Sequence, residues 1–339
     1  MPRTNRSEAA GDGSRPPIRR LECSVDWPPG HVASYLLPGD ERVLVDAGAI
    51  GDEAEEKLRT DLTAADCEPG DIDHLLLTHG HSDHVGQVQM IREAGDVTVY
   101  APDLIRRRWN RSLEAVRDAT RANLREAGVA DDRLEPSVDR LVAAHRSVRE
   151  ALPLEAVDVW IERGDRLTIG DYEFEPIYTP GHHVTHFCYG TTVGDERVLL
   201  SGDVAIEPFR AAAIHVNFDD GVTEGIDAFR DALERLQGYS FDRVYPGHGP
   251  VHGRFDEAVE RSRADLEERI RRSFEALEPA GTTAVEIADA QTDGLYERAR
   301  VLPEIVGSLS HLEERGRVQS QLDDGARIFQ PVESNGGHT

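Results

Sequence analysis

Apolar residues fall into two patterns along this chain. Some form short runs closed by Gly, Pro and polar residues, and others recur every three or four positions over longer stretches. The first pattern predicts buried strands and the second predicts helices. Strands are expected at residues 32–37 and 43–45, joined as a hairpin through Pro38-Gly39-Asp40-Glu41. Others are expected at 75–77, 97–100, 172–178, 184–189 and 198–200, and just before Pro246. Helices are expected at 52–67, 224–237 and 255–276, and a helical stretch over 102–157 interrupts the strand-rich order. Strands toward both ends with helices between them predict an α/β fold, two packed sheets flanked by helices.

After Pro279-Ala280-Gly281 the pattern changes. Helices are expected at 282–290, 295–300 and 303–315, followed by a hairpin of 318–322 and 326–329 around Asp323-Asp324-Gly325. Helix, helix, helix, hairpin is winged-helix order. The domain plan is therefore a flexible segment at 1–20, a main unit at 21–255 and a connecting helix at 256–280. A winged-helix-like unit at 281–333 and a flexible tail at 334–339 complete it.

Charge narrows the partners. The 339 residues carry 64 Asp and Glu against 38 Lys and Arg, a formal charge of -26, and Lys57 is the single lysine. The excess is spread along the chain, which fits a solvated surface from a salt-adapted organism, because salt screens self-repulsion. Nucleic-acid binding relies on local positive charge, so it is disfavoured as a general role. The winged-helix-like unit repeats the point, with ten acidic and five basic side chains. Cys23, Cys67 and Cys188 make no CxxC pair or evident disulfide framework. The arginine-rich start lacks the apolar core of a signal peptide, and no run is long enough to span a membrane. A cytoplasmic location follows as the expectation.

The chemistry concentrates in Thr78-His79-Gly80-His81-Ser82-Asp83-His84, directly after the apolar run at 75–77. Side chains two apart on an extended backbone share a face, so His79 and His81 point together. Asp83 and His84 on the next bend suggest two metals side by side. Imidazole with carboxylate suits zinc, iron or manganese. Further apolar runs end at Thr179-Pro180-Gly181-His182-His183, Ser201-Gly202-Asp203 and Pro246-Gly247-His248. Asp46 closes another, either as a hydrogen-bond partner of the histidine loop or as an ordinary turn residue. No Gly-X-Ser-X-Gly elbow and no phosphate-cradling Gly-Lys-Ser/Thr loop competes. The cluster Arg106-Arg107-Arg108 has two readings, a bidentate grip on a substrate carboxylate or phosphate, or charge balance against Glu114, Asp118 and Glu126.

These motifs, taken together, resemble the binuclear hydrolases of the metallo-beta-lactamase superfamily over roughly residues 21–255. The resemblance implies an αββα sandwich with its site at the edge between the sheets. It implies that His79, His81 and His182 hold one divalent metal, that Asp83, His84 and His248 hold the other, and that Asp203 bridges them. Zn2+ is the expected ion, with Mn2+ or Fe2+ as alternatives. Asp83 is also a candidate proton acceptor. His183, His186 and His215 are candidates to support the ligands or touch substrate, His186 chiefly by hydrogen bonding its own loop. With the C-terminal extension, the chain looks most like the beta-lactamase-like protein 2 group, with glyoxalase II relatives next. The expected reaction is hydrolysis of a small ester, thioester or lactone, with endoribonuclease or other phosphodiesterase activity as the alternative. The added C-terminal unit also offers a route to homo-oligomers.

Overall fold

The computed structural model describes residues 18–332. The expected flexible segment lies outside the described residues as far as position 17, and the expected tail at 334–339 lies outside them entirely. Residues 19 and 20, assigned to that loose segment, instead begin strand β1 (Arg19–Ser24), which pairs antiparallel with β2 (His31–Leu37). The expected hairpin follows, with Tyr35 opposite Val45 and Leu37 opposite Val43 of β3 (Val43–Val45).

The chain then alternates. Helix α1 (Asp52–Ala64) precedes β4 (His74–Leu76), α2 (Val88–Ala94) precedes β5 (Thr98–Pro102), and α3 (Asp103–Trp109), α4 (Leu113–Glu126) and α5 (Asp131–Ala151) form the helical insertion before β6 (Val159–Ile161). Strands β1 to β6 make one sheet in that order, parallel from β3 onward. Strands β7 (Leu167–Ile169), β8 (Tyr172–Tyr178), β9 (Phe187–Val193) and β10 (Glu196–Gly202) belong to the second sheet. Helix α6 (Gly225–Leu236) leads to β11 (Arg243–Pro246), which completes the order β11-β10-β9-β8-β7. The three-residue edge strands β6 and β7 are too short to leave a periodic signal. The strand expected at 184–189 starts only at Phe187. Residues ahead of it are drawn into a loop, with Val184 N bonded to His215 O and His186 N to His183 O.

Period-two burial builds the layers. Tyr35 and Leu37 of β2 face the second sheet, meeting Phe174, Phe187 and Tyr189, while Leu36 between them faces α1. The other face of the second sheet, including Ile177, Cys188 and Val244, packs against Phe229 and Leu233 of α6 and Leu266 of helix α7 (Phe255–Glu275). The result is helix, sheet, sheet, helix: the expected αββα sandwich.

Helices α8 (Ala284–Gln291) and α9 (Leu295–Glu314) and the hairpin β12 (Val318–Asp323) and β13 (Ala326–Pro331) close the chain. The expected break at Pro303 is absent: α9 runs through it, so two helices precede the hairpin where three were expected. An interior proline costs about 3 kcal/mol. Leu302, Ile305, Leu309 and Leu312 are all buried in one core, at about 1.5–3 kcal/mol each, so packing outweighs the break. That core also contains residues of α4 to α8. The hairpin turn is as expected, with Asp324 and Gly325 both at positive φ between paired Asp323 and Ala326. Among the described residues, no helix is long and apolar enough to cross a membrane.

Candidate metal centre

Strand direction brings the predicted ligands to one edge. Strands β3 and β4 are parallel, β10 and β11 are parallel, and β8 runs the same way as β10 because each is antiparallel to β9. The loops after β4, β8, β10 and β11 carry His79 to His84, His182, Asp203 and His248, respectively.

Potential ligand atoms of His79, His81, His182 and Asp203 lie within 4.8 Å of one another, and those of Asp83, His84 and His248 do likewise. His81 Nδ1 is 3.0 Å from His79 Nε2 and 2.9 Å from His182 Nε2. Asp203 spans the two sets. Its Oδ2 lies 3.1 Å from His182 Nε2 and 3.3 Å from His248 Nε2, and its Oδ1 lies 3.3 Å from His84 Nε2. Asp83 Oδ2 is 3.3 Å from His248 Nε2. Gly247 makes room for this convergence: a Cβ there would come within 2.6 Å of both Asp203 Oδ1 and His84 Cε1.

Hydrogen bonds behind the rings set which nitrogens point inward without a proton. His84 Nδ1 donates to Asp46 Oδ2 at 2.8 Å, His182 Nδ1 to Ala212 O at 2.8 Å and His248 Nδ1 to His31 O at 2.6 Å. Thr78 Oγ1 gives its proton to Asp46, so it can only accept from His79 Nδ1, 3.0 Å away. The Nε2 atoms of all four rings are thereby left as lone pairs facing carboxylate oxygens or another nitrogen. Such a set of acceptors is repulsive unless cations sit among them. His84 Nε2 and Asp203 Oδ1 are buried and have no hydrogen-bond partner of their own. The donor set therefore fits metal ions, and mixed imidazole and carboxylate suits zinc, manganese or iron.

Electrostatics agree. Burial, followed by neighbouring imidazoles, pushes His79 well below the usual histidine range and His81 down to about 3. Burial opposes ionisation of Asp83, but His84 and His248 outweigh it and bring the carboxyl to about 2. Burial also disfavours charge on His84, yet Asp203, Asp46 and Asp83 raise it well above its ordinary value. Positive charge is favoured at that point, and a divalent ion can take the place of the proton.

The other predicted residues separate into distinct roles. His186 accepts from Asp203 N at 2.9 Å through Nε2 and bonds Thr179 Oγ1 through Nδ1, so it steadies Asp203 and is not among the converging side chains. His183 bonds Thr185 Oγ1 at 2.7 Å and lines a chamber beside His81. His215 is buried at φ 55 with Nδ1 unpartnered, and its backbone brackets His182 through His215 N to His182 O at 2.8 Å. Arg108 of the arginine run lines the chamber beside His81, whereas Arg106 and Arg107 line neither that chamber nor the cleft over the ligands. Arg106 and Arg107 pair with buried Asp103 on their own helix, and Arg108, with Arg111, is held by buried Asp219. Arg117 pairs with Asp139, and Arg121 with Glu135 and Asp118; of the other acidic partners expected for the arginines, Glu126 pairs instead with Arg327.

The cleft over the ligands has a volume of about 330 Å³ and also contains Trp27, Phe209 and Ile214. Its remaining wall comes from the end of the chain: Tyr296 and Arg300 of α9. Nothing in the local sequence marked these two, because only the packing of α9 brings them to the site. His145 lines the chamber next to His81.

A family model described as "Metallo-beta-lactamase superfamily" matches residues 27–248. The chain is 23% identical over 337 residues to "Probable metallo-hydrolase YqjP" of Bacillus subtilis, covering 89% of this chain and 94% of that one. It is 24% identical to "Beta-lactamase-like protein 2 homolog" of Caenorhabditis elegans, over 77% of this chain and 72% of the relative. In structure it resembles a beta-lactamase domain protein from Burkholderia ambifaria, with a TM-score of 0.73 at 19% identity over 94% of this chain and 93% of the other. The match across the ligand-bearing loops and the sandwich that presents them lead to one conclusion: the chain belongs to the metallo-beta-lactamase superfamily.

Proposed function

We propose that this protein is a binuclear metal-dependent hydrolase of a small ester, thioester or lactone. The observation that carries this reading is Asp203, whose two oxygens face His84 on one side and His182 and His248 on the other. His79, His81 and His182 would hold one ion, Asp83, His84 and His248 the other, and Asp203 both. Bound there, zinc ions supply a Lewis acid and lower the pKa of a water toward about 7. Asp203 is held in register by His186 through its backbone N–H. Asp83 borders the open cleft and is the carboxylate suited to receive a proton from the attacking water or pass one to the leaving group. Trp27, Phe209 and Ile214 exclude water around the scissile group.

Among the described residues, Arg300 is the only guanidinium or ammonium group lining the cleft. It stacks 5.7 Å from the Tyr296 ring and pairs with no carboxylate among the described residues. That position takes over the anion-gripping role first considered for Arg106, Arg107 and Arg108. One cation suits a single carboxylate or phosphate on a small molecule. A nucleic-acid backbone needs several, which supports the small substrate over RNA.

The test is a panel of thioesters, lactones, phosphodiesters and single-stranded RNA, with the protein loaded in turn with zinc, manganese and iron, at low and high salt. Turnover of ester-class substrates is expected, and Arg300→Ala should raise KM for an anionic ester about tenfold while leaving a neutral ester unaffected. Efficient cleavage of RNA alone would overturn the reading.

A further inference from the structure

A second cleft, of about 380 Å³, opens between the helical insertion and α9. Its volume suits a small molecule. No residue lining it also lines the cleft over the metal ligands. Leu124, Val129, Phe218 and Leu302 in its wall are buried and form the floor. Arg133 and Arg140 are exposed and stand at the rim, seven residues apart and so on one face of α5. Arg298 reaches the same cleft from α9. Arg300, two residues on and about 200° around that helix, faces the metal cleft instead.

The charge of this rim runs against that of the chain. Acidic side chains outnumber basic ones 64 to 38, yet three arginines line the cleft. Among the described residues, Asp132 is the single carboxylate beside them. The guanidinium groups of Arg133 and Arg140 have no ion pair or hydrogen bond among the described residues. That sets them apart from Arg117 and Arg121 on the same insertion, whose charges are matched by Asp139 and Glu135. Arg298 is held in place, with Nε 3.0 Å from Asp289 Oδ1 and a side chain 14% exposed.

We propose that this cleft is a binding site for a small organic phosphate, distinct from the metal centre. The phosphate sits among Arg133, Arg140 and Arg298, and an apolar body covers the floor. Guanidinium matches phosphate oxygens bidentately, and at Arg133 and Arg140 no protein carboxylate competes for it. The floor adds the transfer of an apolar body out of water. An apolar ligand would leave the rim unmatched, and inorganic phosphate would leave the floor uncovered. The site stands whether or not the metal centre hydrolyses esters.

The test is calorimetry on the full-length, metal-loaded protein with naphthylmethylphosphonate, a phosphate-ester analogue that cannot be hydrolysed. Its affinity should exceed that of inorganic phosphate and of naphthalenemethanol by about tenfold or more, and should fall as salt rises. Replacing Arg133 and Arg140 together by Ala should weaken binding about tenfold or more. Ala299→Trp, at an exposed position in the wall, should weaken it by filling the cleft. Arg146→Ala removes an exposed charge from α5 outside the cleft and should change nothing. Circular dichroism selects folded variants. Affinity that either cleft variant leaves unchanged, or that Arg146→Ala lowers as much, would overturn the site. Inorganic phosphate binding as tightly as the probe would also overturn it, as would binding lost in Asp203→Ala but kept in the cleft variants, which belongs to the metals.

Discussion

The two walls of the metal cleft are held up in different ways. On one side, His79, His81, Asp83 and His84 come from a single seven-residue segment after β4, and its support is next door. Asp46, at the end of the adjacent strand β3, accepts from Thr78 N at 2.8 Å, from Thr78 Oγ1 and from His84 Nδ1. On the other side, His182 leans on Ala212 O, in a loop that hangs from the far end of the chain. Glu304 of α9 accepts from Ala213 N at 2.7 Å and pairs with Arg210 and Arg269. One wall is braced by the adjacent strand; the other is braced by α9, through Glu304. The C-terminal unit is therefore part of the site's framework as well as of its mouth.

Removing the residue common to both walls should have the largest effect. Asp203→Ala is expected to strip metal from both sets and lower turnover on the order of 10³-fold, a loss of several kcal/mol, checked by elemental analysis and kcat. Near-normal metal content would refute the bridging role.

Next comes the remote support. The Arg210 and Glu304 side chains are 8% and 3% exposed, so Glu304→Ala leaves buried positive charge uncompensated. A loss of about 3 kcal/mol is expected, read by chemical denaturation. The folded variant should hold metal more weakly at the His79, His81 and His182 set than at the other. Equal weakening of both sets would erase the distinction between the walls.

The local support should give the converse. Asp46→Asn removes the carboxylate behind His84 and should weaken metal binding about 10- to 100-fold, mainly at the Asp83, His84 and His248 set. Chelator competition on zinc-loaded protein measures it, and an effect confined to the His182 set would contradict the assignment.

The smallest effect is a pH signature. Burial opposes the charge on Glu304, but Arg210 and Arg269 outweigh it and hold the carboxyl below its ordinary 4.5. A carboxyl with a lowered folded pKa stabilises fully above the unfolded value and loses that contribution as pH falls through the folded one. The melting-temperature gap between the wild type and Glu304→Ala should therefore be widest above pH 4.5 and shrink on acidification. A gap that grows at low pH would show the sign to be wrong.

Much of this molecule is legible in its residue order, for reasons of short range. Alternation in β2, the turn at Asp324-Gly325 and the packing of ligands into positions 79–84 all depend on backbone periodicity acting over a few residues. Asp46 was noticeable too, because it closes a strand beside the histidine loop. The expected break between a helix ending at 300 and another starting at Pro303 failed because local propensity was outweighed by burial of Leu302, Ile305, Leu309 and Leu312. Arg106, Arg107 and Arg108 were suggestive as a run, but nothing near them in sequence revealed that Asp103 and Asp219 would claim them.

What residue order alone determined, then, is which histidines and aspartates stand at the candidate metal centre and the strands that present them, because both are set by spacing along the backbone. The tertiary structure decided that Glu304 steadies the loop behind His182 and that Arg300 faces the cleft. Those contacts join segments roughly a hundred residues apart, and only the burial of a shared core brings such distant groups within a few ångströms.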